Sequence, residues 1–215
     1  MPRGRPREFD VEGALDEAMG LFWRKGYRDT TTRDLEAALG ITQSSLYTAF
    51  GSKAELLHAV FDRYQALIDQ QLLNPLLNDD AGLASVDRFF ARLGDWLTAD
   101  GARGCLIGRM MSERAQPEPD IEERLAQYRA KLRDVFETAL GRAAAAGELP
   151  RDTVQSRASV LVAMVLGLNL AIQAGYDGES QRALARGIRG EIARWGGASR
   201  TAADSAASGD GVPAR

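Results

Sequence analysis

Residues 31 to 57 read TTRDLEAALGITQSSLYTAFGSKAELL. Leu35, Ala38 and Leu39 fall at the spacing of one helical face, and Gly40 ends that pattern. Thr31 with Asp34 three residues on resembles a capping box, with Asp in place of the usual Glu or Gln. Ile41 follows as an apolar anchor, and Thr42 can cap a further short helix over about Gln43 to Phe50. Gly51-Ser52 breaks the pattern again, and Ser52 with Glu55 forms a second capping box. The stretch predicts two short helices joined by a tight turn, then the start of a third.

The helix over Gln43 to Phe50 carries small polar groups on one side: Gln43, Ser44, Ser45 and Thr48. Leu46, Ala49 and Phe50 are expected to face inward. A short helix with a small polar face suits a major groove, where Gln, Ser and Thr reach base edges or phosphates. The Tyr47 hydroxyl can reach a phosphate oxygen. Lys53 stands in the first turn of the next helix, where the helix N-terminus itself attracts anions. It is either a phosphate clamp or a solvated lysine. A solvated surface helix is the alternative reading of Gln43 to Thr48, and the helix–glycine–helix spacing favours the groove.

Upstream, residues 2 to 7 read PRGRPR. Proline and glycine disfavour a helix there. Arg3, Arg5 and Arg7 can form an extended arm for a narrow minor groove, where negative potential is enhanced. RGRP resembles the core of an AT-hook; the other reading is a solvated terminus. Val11, Leu15, Ala18 and Phe22 then line one face of a first helix, with Asp10 as N-cap and Gly26 as stop.

Taken together, T-T-x-R-D-L-x-x-x-x-G-I-x-x-x-x-L-Y-x-x-F-x-S-K-x-E-L-L, starting at Thr30, is similar to the N-terminal domain of TetR-family transcriptional repressors. The resemblance covers roughly residues 8 to 60. It implies a three-helix DNA-binding domain, with Thr31 and residues 42 to 48 (Thr42, Gln43, Ser44, Ser45, Tyr47 and Thr48 among them) where the family contacts DNA and Lys53 at a phosphate. The family commonly has lysine or arginine near the start of its recognition helix. Gln43 stands there in this chain, so no operator sequence carries over.

The chain has 215 residues, with 45% apolar and 27% charged residues, an ordinary globular composition. The net charge of −3 excludes a polycation, so affinity for nucleic acid must come from local positive charge. One cysteine precludes an internal disulfide and is compatible with a reducing cytosol. No apolar core follows the charged N-terminus, so no signal peptide is expected. The apolar run Ala158 to Ile172 is shorter than a membrane span of about 20 residues. One histidine, His58, offers no metal site, and no catalytic constellation or phosphate-binding glycine loop is present.

Downstream, Leu57, Val60, Phe61, Tyr64, Leu67, Ile68 and Gln71 continue the stripe in a helix expected from Ser52 to Leu73, ending before Pro75. Further helices are expected over residues 83 to 98, from Cys105, from Asp120 towards Gly147, from Asp152 or Thr153 to Ala174, and from Glu179 to Trp195. The Asp152–Ala174 helix is apolar nearly all round, which calls for burial on several sides. By resemblance, the last two long helices pair across a two-fold axis. The dimer candidates are Leu161, Val165, Leu168, Leu184, Ile188, Ile192 and Trp195.

The resemblance also implies a small-molecule pocket between the long fourth helix and the dimer helices. Its aromatic candidates are Phe61, Tyr64, Phe89, Phe90, Trp96 and Tyr128. Met110, Met111 and Met164 are adaptable neighbours, and Asn169 and Gln173 can orient a ligand; all of these can equally be plain core. Gly104-Cys105-Leu106 resembles a subgroup in which some members sense electrophiles or oxidants through this cysteine, although free cysteine is commonly inert core.

The expected architecture is all-α, with about nine helices: a basic arm over 1–8, a helix-turn-helix domain over 9–52, a helical ligand-binding and dimerisation domain over 53–196, and a disordered tail over 197–215. The expected function is a cytoplasmic, nucleoid-associated repressor that binds a double-stranded operator as a homodimer, released by a small-molecule or thiol-reactive inducer. No cofactor, metal or membrane is expected. The alternatives are an activator or architectural protein whose second domain only dimerises and, more remotely, a thiol enzyme using Cys105.

Overall fold

The computed structural model describes residues 10–102, 104–112 and 119–207. They form α-helices with one π turn and one 3-10 turn, and no strand occurs among them. The chain divides into two compact units, Met1–Leu67 and Ile68–Arg215.

The first unit holds α1 (Val11–Lys25), α2 (Thr32–Leu39), α3 (Gln43–Phe50) and nearly all of α4 (Lys53–Ile68). Each boundary follows from local chemistry. Asp10 Oδ1 accepts from the Gly13 amide at 3.0 Å and starts α1. Thr31 and Asp34 form both halves of their capping box. Gly40, at φ 64°, takes the left-handed conformation that closes α2 and aims the chain into α3. The core is built on Phe22, Leu35, Leu46, Leu56, Val60, Phe61 and Tyr64, all buried. α4 is tied to α1 twice: Tyr64 lies edge-on to Trp23 at 5.2 Å, and Arg63 pairs with Asp16 at 2.6 Å and with Glu12. The compact boundary therefore falls at the end of α4, not at Ser52.

The helix expected to stop before Pro75 does not stop. It passes through a π turn, Asp69–Leu73, into α5 (Asn74–Leu77). Pro75 has no N–H to offer the Gln71 carbonyl and its ring crowds that group. The ladder widens by one residue instead, with the Asn74 amide donating to the Asp69 carbonyl. Lys131 holds Asp69 at 2.5 Å, and Arg142 Nη1 donates to the Leu77 carbonyl at 2.5 Å.

The second unit continues with α6 (Leu83–Ala102), α7 (Leu106–Ser112), α8 (Pro119–Ala145), a 3-10 turn (Arg151–Thr153), α9 (Val154–Gln173) and α10 (Gly178–Ala207). α10 packs on α6 and α9, α8 on α9 and α6, and α7 on α9. Phe89, Phe90 and Phe136 form an aromatic cluster, with Phe89 edge-on to both others at 5.3 and 5.1 Å. Each such pair adds about 0.5–1.5 kcal/mol beyond area burial.

Three expectations are corrected here. α10 continues to Ala207, past the point where a disordered tail was expected to begin. Residues 208–215, and the arm with Arg3, Arg5 and Arg7, lie outside the described residues. Ala49 points outward, while Leu46 is the buried anchor of α3. Leu161, Val165, Leu168, Ile188 and Ile192 are buried within the chain itself, so they are not a surface for a second copy. The outward side of α9 carries Val160 (43% exposed), Ala163, Gly167, Leu170 (61%) and Ala174. By length and composition alone, the 23-residue segment Arg151–Gln173 would suffice to cross a membrane, which the shorter run Ala158 to Ile172 did not suggest.

Candidate nucleic-acid interface and buried cavity

α3 has no charged residue, and six of its eight residues are exposed: Gln43, Ser44, Ser45, Tyr47, Thr48 and Ala49. The face is partly pre-organised by its own bonds. Gln43 Nε2 donates to the Tyr47 hydroxyl at 3.3 Å, and Thr48 Oγ1 donates to the Ser44 carbonyl at 2.8 Å. Thr42 caps the helix through the Ser45 amide and lies 3.2 Å from Ser44 Oγ and 3.0 Å from Ser45 Oγ. Thr42 is therefore mainly a cap, and Gln43, Ser44, Ser45, Tyr47 and Thr48 are the polar groups α3 leaves exposed.

Thr31 and Lys53 flank this helix in the chain. Thr31 Oγ1 and backbone are engaged with Asp34, whose carboxyl is held well below the usual carboxylate range, first by Lys25 at 2.6 Å and then by Thr31. The ammonium of Lys53 lies 4.3 Å from the centre of the Tyr27 ring. That cation–π contact limits where the lysine can swing. Tyr27 was not singled out from sequence: a lone tyrosine between two helices gives no local sign of its neighbour across the fold.

The second unit encloses a narrow cavity of about 20 Å3, room for about one water. Its walls come from the end of α4 and the π turn (Ile68, Leu72, Leu73), from α6 (Phe89, Leu93, Trp96), from Cys105, from α8 (Tyr128, Leu132) and from α9 (Val165, Asn169). Of the residues expected at a pocket, Phe89, Trp96, Cys105, Tyr128 and Asn169 line it. Phe61 and Tyr64 do not; they are core of the first unit. Phe90 stacks on Phe136, outside the lining. Met110, Met111 and Met164 also fall outside it, and Gln173 is on the exposed side of α9. Leu72 and Leu73 were missed because the expected break at Pro75 hid the π turn that aims them inward.

Asn169 is the polar centre of this cavity. Its Oδ1 accepts from the Cys105 amide at 2.8 Å, and its Nδ2 donates to the Val165 carbonyl at 3.0 Å. A Cβ at Gly108 would come within 2.8 Å of Asn169 Cγ, so only glycine lets α7 approach this closely. Burial, followed by the nearby Cys105 and Asp69, pushes the Tyr128 phenol well above its ordinary pKa, so it remains a protonated donor. A more open groove of about 490 Å3 lies beside Leu83, Asp87, Glu148 and Ile192. Its carboxylates are already engaged, Asp87 by Arg189 and Glu148 by the Leu83 amide.

Comparison with known proteins places this arrangement. The family model for bacterial regulatory proteins of the tetR family matches residues 14–60, and that for the tetracycline repressor-like C-terminal domain matches residues 82–188. The HTH-type transcriptional repressor ComR of Escherichia coli (strain K12) is 31% identical over 179 residues, covering 80% of this chain and 84% of ComR. The chain belongs to the TetR family. BdcR of the same organism, also an HTH-type transcriptional repressor, is 34% identical over 106 residues, 48% of this chain and 53% of BdcR. A cysteine mutant of the TetR-family regulator CifR, solved with 26-bp operator DNA, aligns at TM-score 0.76 and 26% identity, covering 86% of this chain and 98% of that one. AibR, solved with isovaleryl coenzyme A and operator DNA, shares the fold at TM-score 0.68 and 19% identity, covering 84% of this chain and 96% of that one. This TetR-family chain is accordingly a DNA-binding transcriptional regulator of helix-turn-helix type, and these relatives are regulators, not enzymes.

Proposed function

We propose that this TetR-family protein is a repressor that binds a pseudo-palindromic operator as a homodimer in the cytoplasm, at the nucleoid, and leaves it when a small molecule enters the cavity of the second unit. The observation that carries the reading is the uncharged, exposed face of α3 beside a braced Lys53. Neutral donors and acceptors suit base edges. Lys53, with Arg3, Arg5 and Arg7 of the arm, supplies local positive charge on a chain whose net charge is −3.

The dimer rests on a different feature. α9 exposes Val160 and Leu170, and α10 exposes Leu184 at 37%. The same two helices carry Gly167, Gly187 and Gly190, where an added Cβ would meet nothing within 4 Å. A glycine inside a helix costs about 0.5–1 kcal/mol against alanine, and nothing among the described residues demands these three. Close approach of a second chain gives them a reason. Trp195 contributes at most one edge, because Arg157 of the same chain lies 4.8 Å from its ring centre.

Release is supported by the cavity wall. Ile68, Leu72 and Leu73 belong to the end of α4 and its π turn, so a ligand that parts the walls acts on the helix leading back to the DNA-reading unit. A ligand shifts the protein only by its differential affinity for the two states. Cys105 in the same wall supports a thiol-reactive inducer as a second route.

The DNA reading is tested through salt. Lys53→Ala is expected to weaken operator binding and to flatten the slope of log affinity against log salt by roughly 2 in a dimer, about 0.9 per lost phosphate contact. Fluorescence anisotropy over a salt series reads this directly. An unchanged slope would remove Lys53 from the phosphate contacts.

A further inference from the structure

Resting on the reading of the cavity as the effector site, we infer that the effector is a small, uncharged, largely apolar molecule carrying a hydrogen-bond acceptor, with an aryl ketone as its simplest form. Eight of the eleven lining residues are apolar or aromatic (counting Trp96 and leaving Cys105, Tyr128 and Asn169), and none is charged. A carboxylate placed there would leave water with no cation in the lining to receive it. Outside the lining, Asp69 pairs through Oδ2 with Lys131 at 2.5 Å, while its buried Oδ1 has no hydrogen-bond partner among the described residues; Tyr128 feels Asp69 after its own burial and Cys105.

Within the lining itself, Tyr128 and Asn169 both offer donors. Tyr128 is 6% exposed, lines the cavity, and its hydroxyl makes no hydrogen bond among the described residues. Asn169 is 3% exposed, and its amide orientation is fixed: Oδ1 must face the Cys105 amide and Nδ2 the Val165 carbonyl. One N–H of Nδ2 is left over. Phe89, Trp96 and Tyr128 supply ring faces and edges for an aromatic occupant. The present space holds about one water, so the occupant must part the walls. That favours a compact molecule of about one ring over a long or branched one.

Three molecules of nine non-hydrogen atoms separate the possibilities: acetophenone, with an acceptor; α-methylstyrene, the same shape without one; and benzoate, the anion. Binding to the full-length protein is read by tryptophan fluorescence and by the rise in Tm. Acetophenone is expected to bind most tightly and benzoate to fail. Tyr128→Phe is expected to weaken acetophenone by about three- to tenfold, the value of one hydrogen bond, and to leave α-methylstyrene unchanged. Benzoate binding as well as acetophenone, or acetophenone indifferent to Tyr128→Phe, overturns the ligand class. If Val165→Phe, which fills the cavity, still abolishes binding in that case, the effector site itself stands. Failure of all three to bind the unaltered protein overturns both.

Discussion

Leu170→Glu is expected to turn the protein into a monomer and to lower operator affinity by about 10²–10⁴-fold, the usual gain from joining two binding modules. Leu170 is the most exposed large apolar side chain on α9, in line with Val160, Ala163, Gly167 and Ala174. In a lone chain, a charge at so exposed a position changes stability by only about ±0.5 kcal/mol. In a dimer it places two carboxylates in an apolar seam. Light scattering after gel filtration gives the mass, and circular dichroism confirms that the helices persist. A dimer of unchanged mass and affinity would move the interface elsewhere on the molecule.

Leu46→Ala acts on the other end of the system. Leu46 is fully buried and is the only buried residue of α3. Truncating such a leucine costs about 2.7–5.0 kcal/mol, a large share of what a small helical unit has. α3 then loses its one buried side chain in the core that also holds Phe22, Leu35 and Leu56. Operator binding is expected to vanish while the second unit still dimerises. Hydrogen exchange should rise across α2 and α3 and stay protected across α8 and α9. Protection unchanged in α3 would mean that the helix is held by something other than its buried leucine.

What could be read from sequence was what local chemistry decides. Asp10, Thr31 with Asp34, Gly40 and Thr42 set the boundaries of the first three helices within the first unit, and each acts through neighbours three or four residues away. The family resemblance rests on the same stretch. The second unit resisted for physical reasons. A helix that is apolar nearly all round has a weak phase, so the periodicity of α9 could not say that Leu161, Val165 and Leu168 face inward while Val160 and Leu170 face out. α10 shows a phase, but Ile188 and Ile192 on its apolar stripe pack inside the chain and Leu184 does not. Pro75 was expected to end a helix, and only the packing of Lys131 and Arg142 around the π turn shows how the chain continues through it. Pocket membership was the least legible. Phe89 and Phe90 are adjacent in sequence, yet only the first lines the cavity. Asn169 and Gln173 sit one turn apart and point to opposite environments.

The central claim, a paired DNA reader held in register by its second unit, is tested most directly by a footprint of the full-length protein on the DNA around its own gene. The expected result is one protected segment containing two inverted half-sites, with centres about one helical turn, roughly 34 Å, apart. Protection of a single unrepeated half-site, or no protection at any concentration that keeps the protein dimeric, would contradict it.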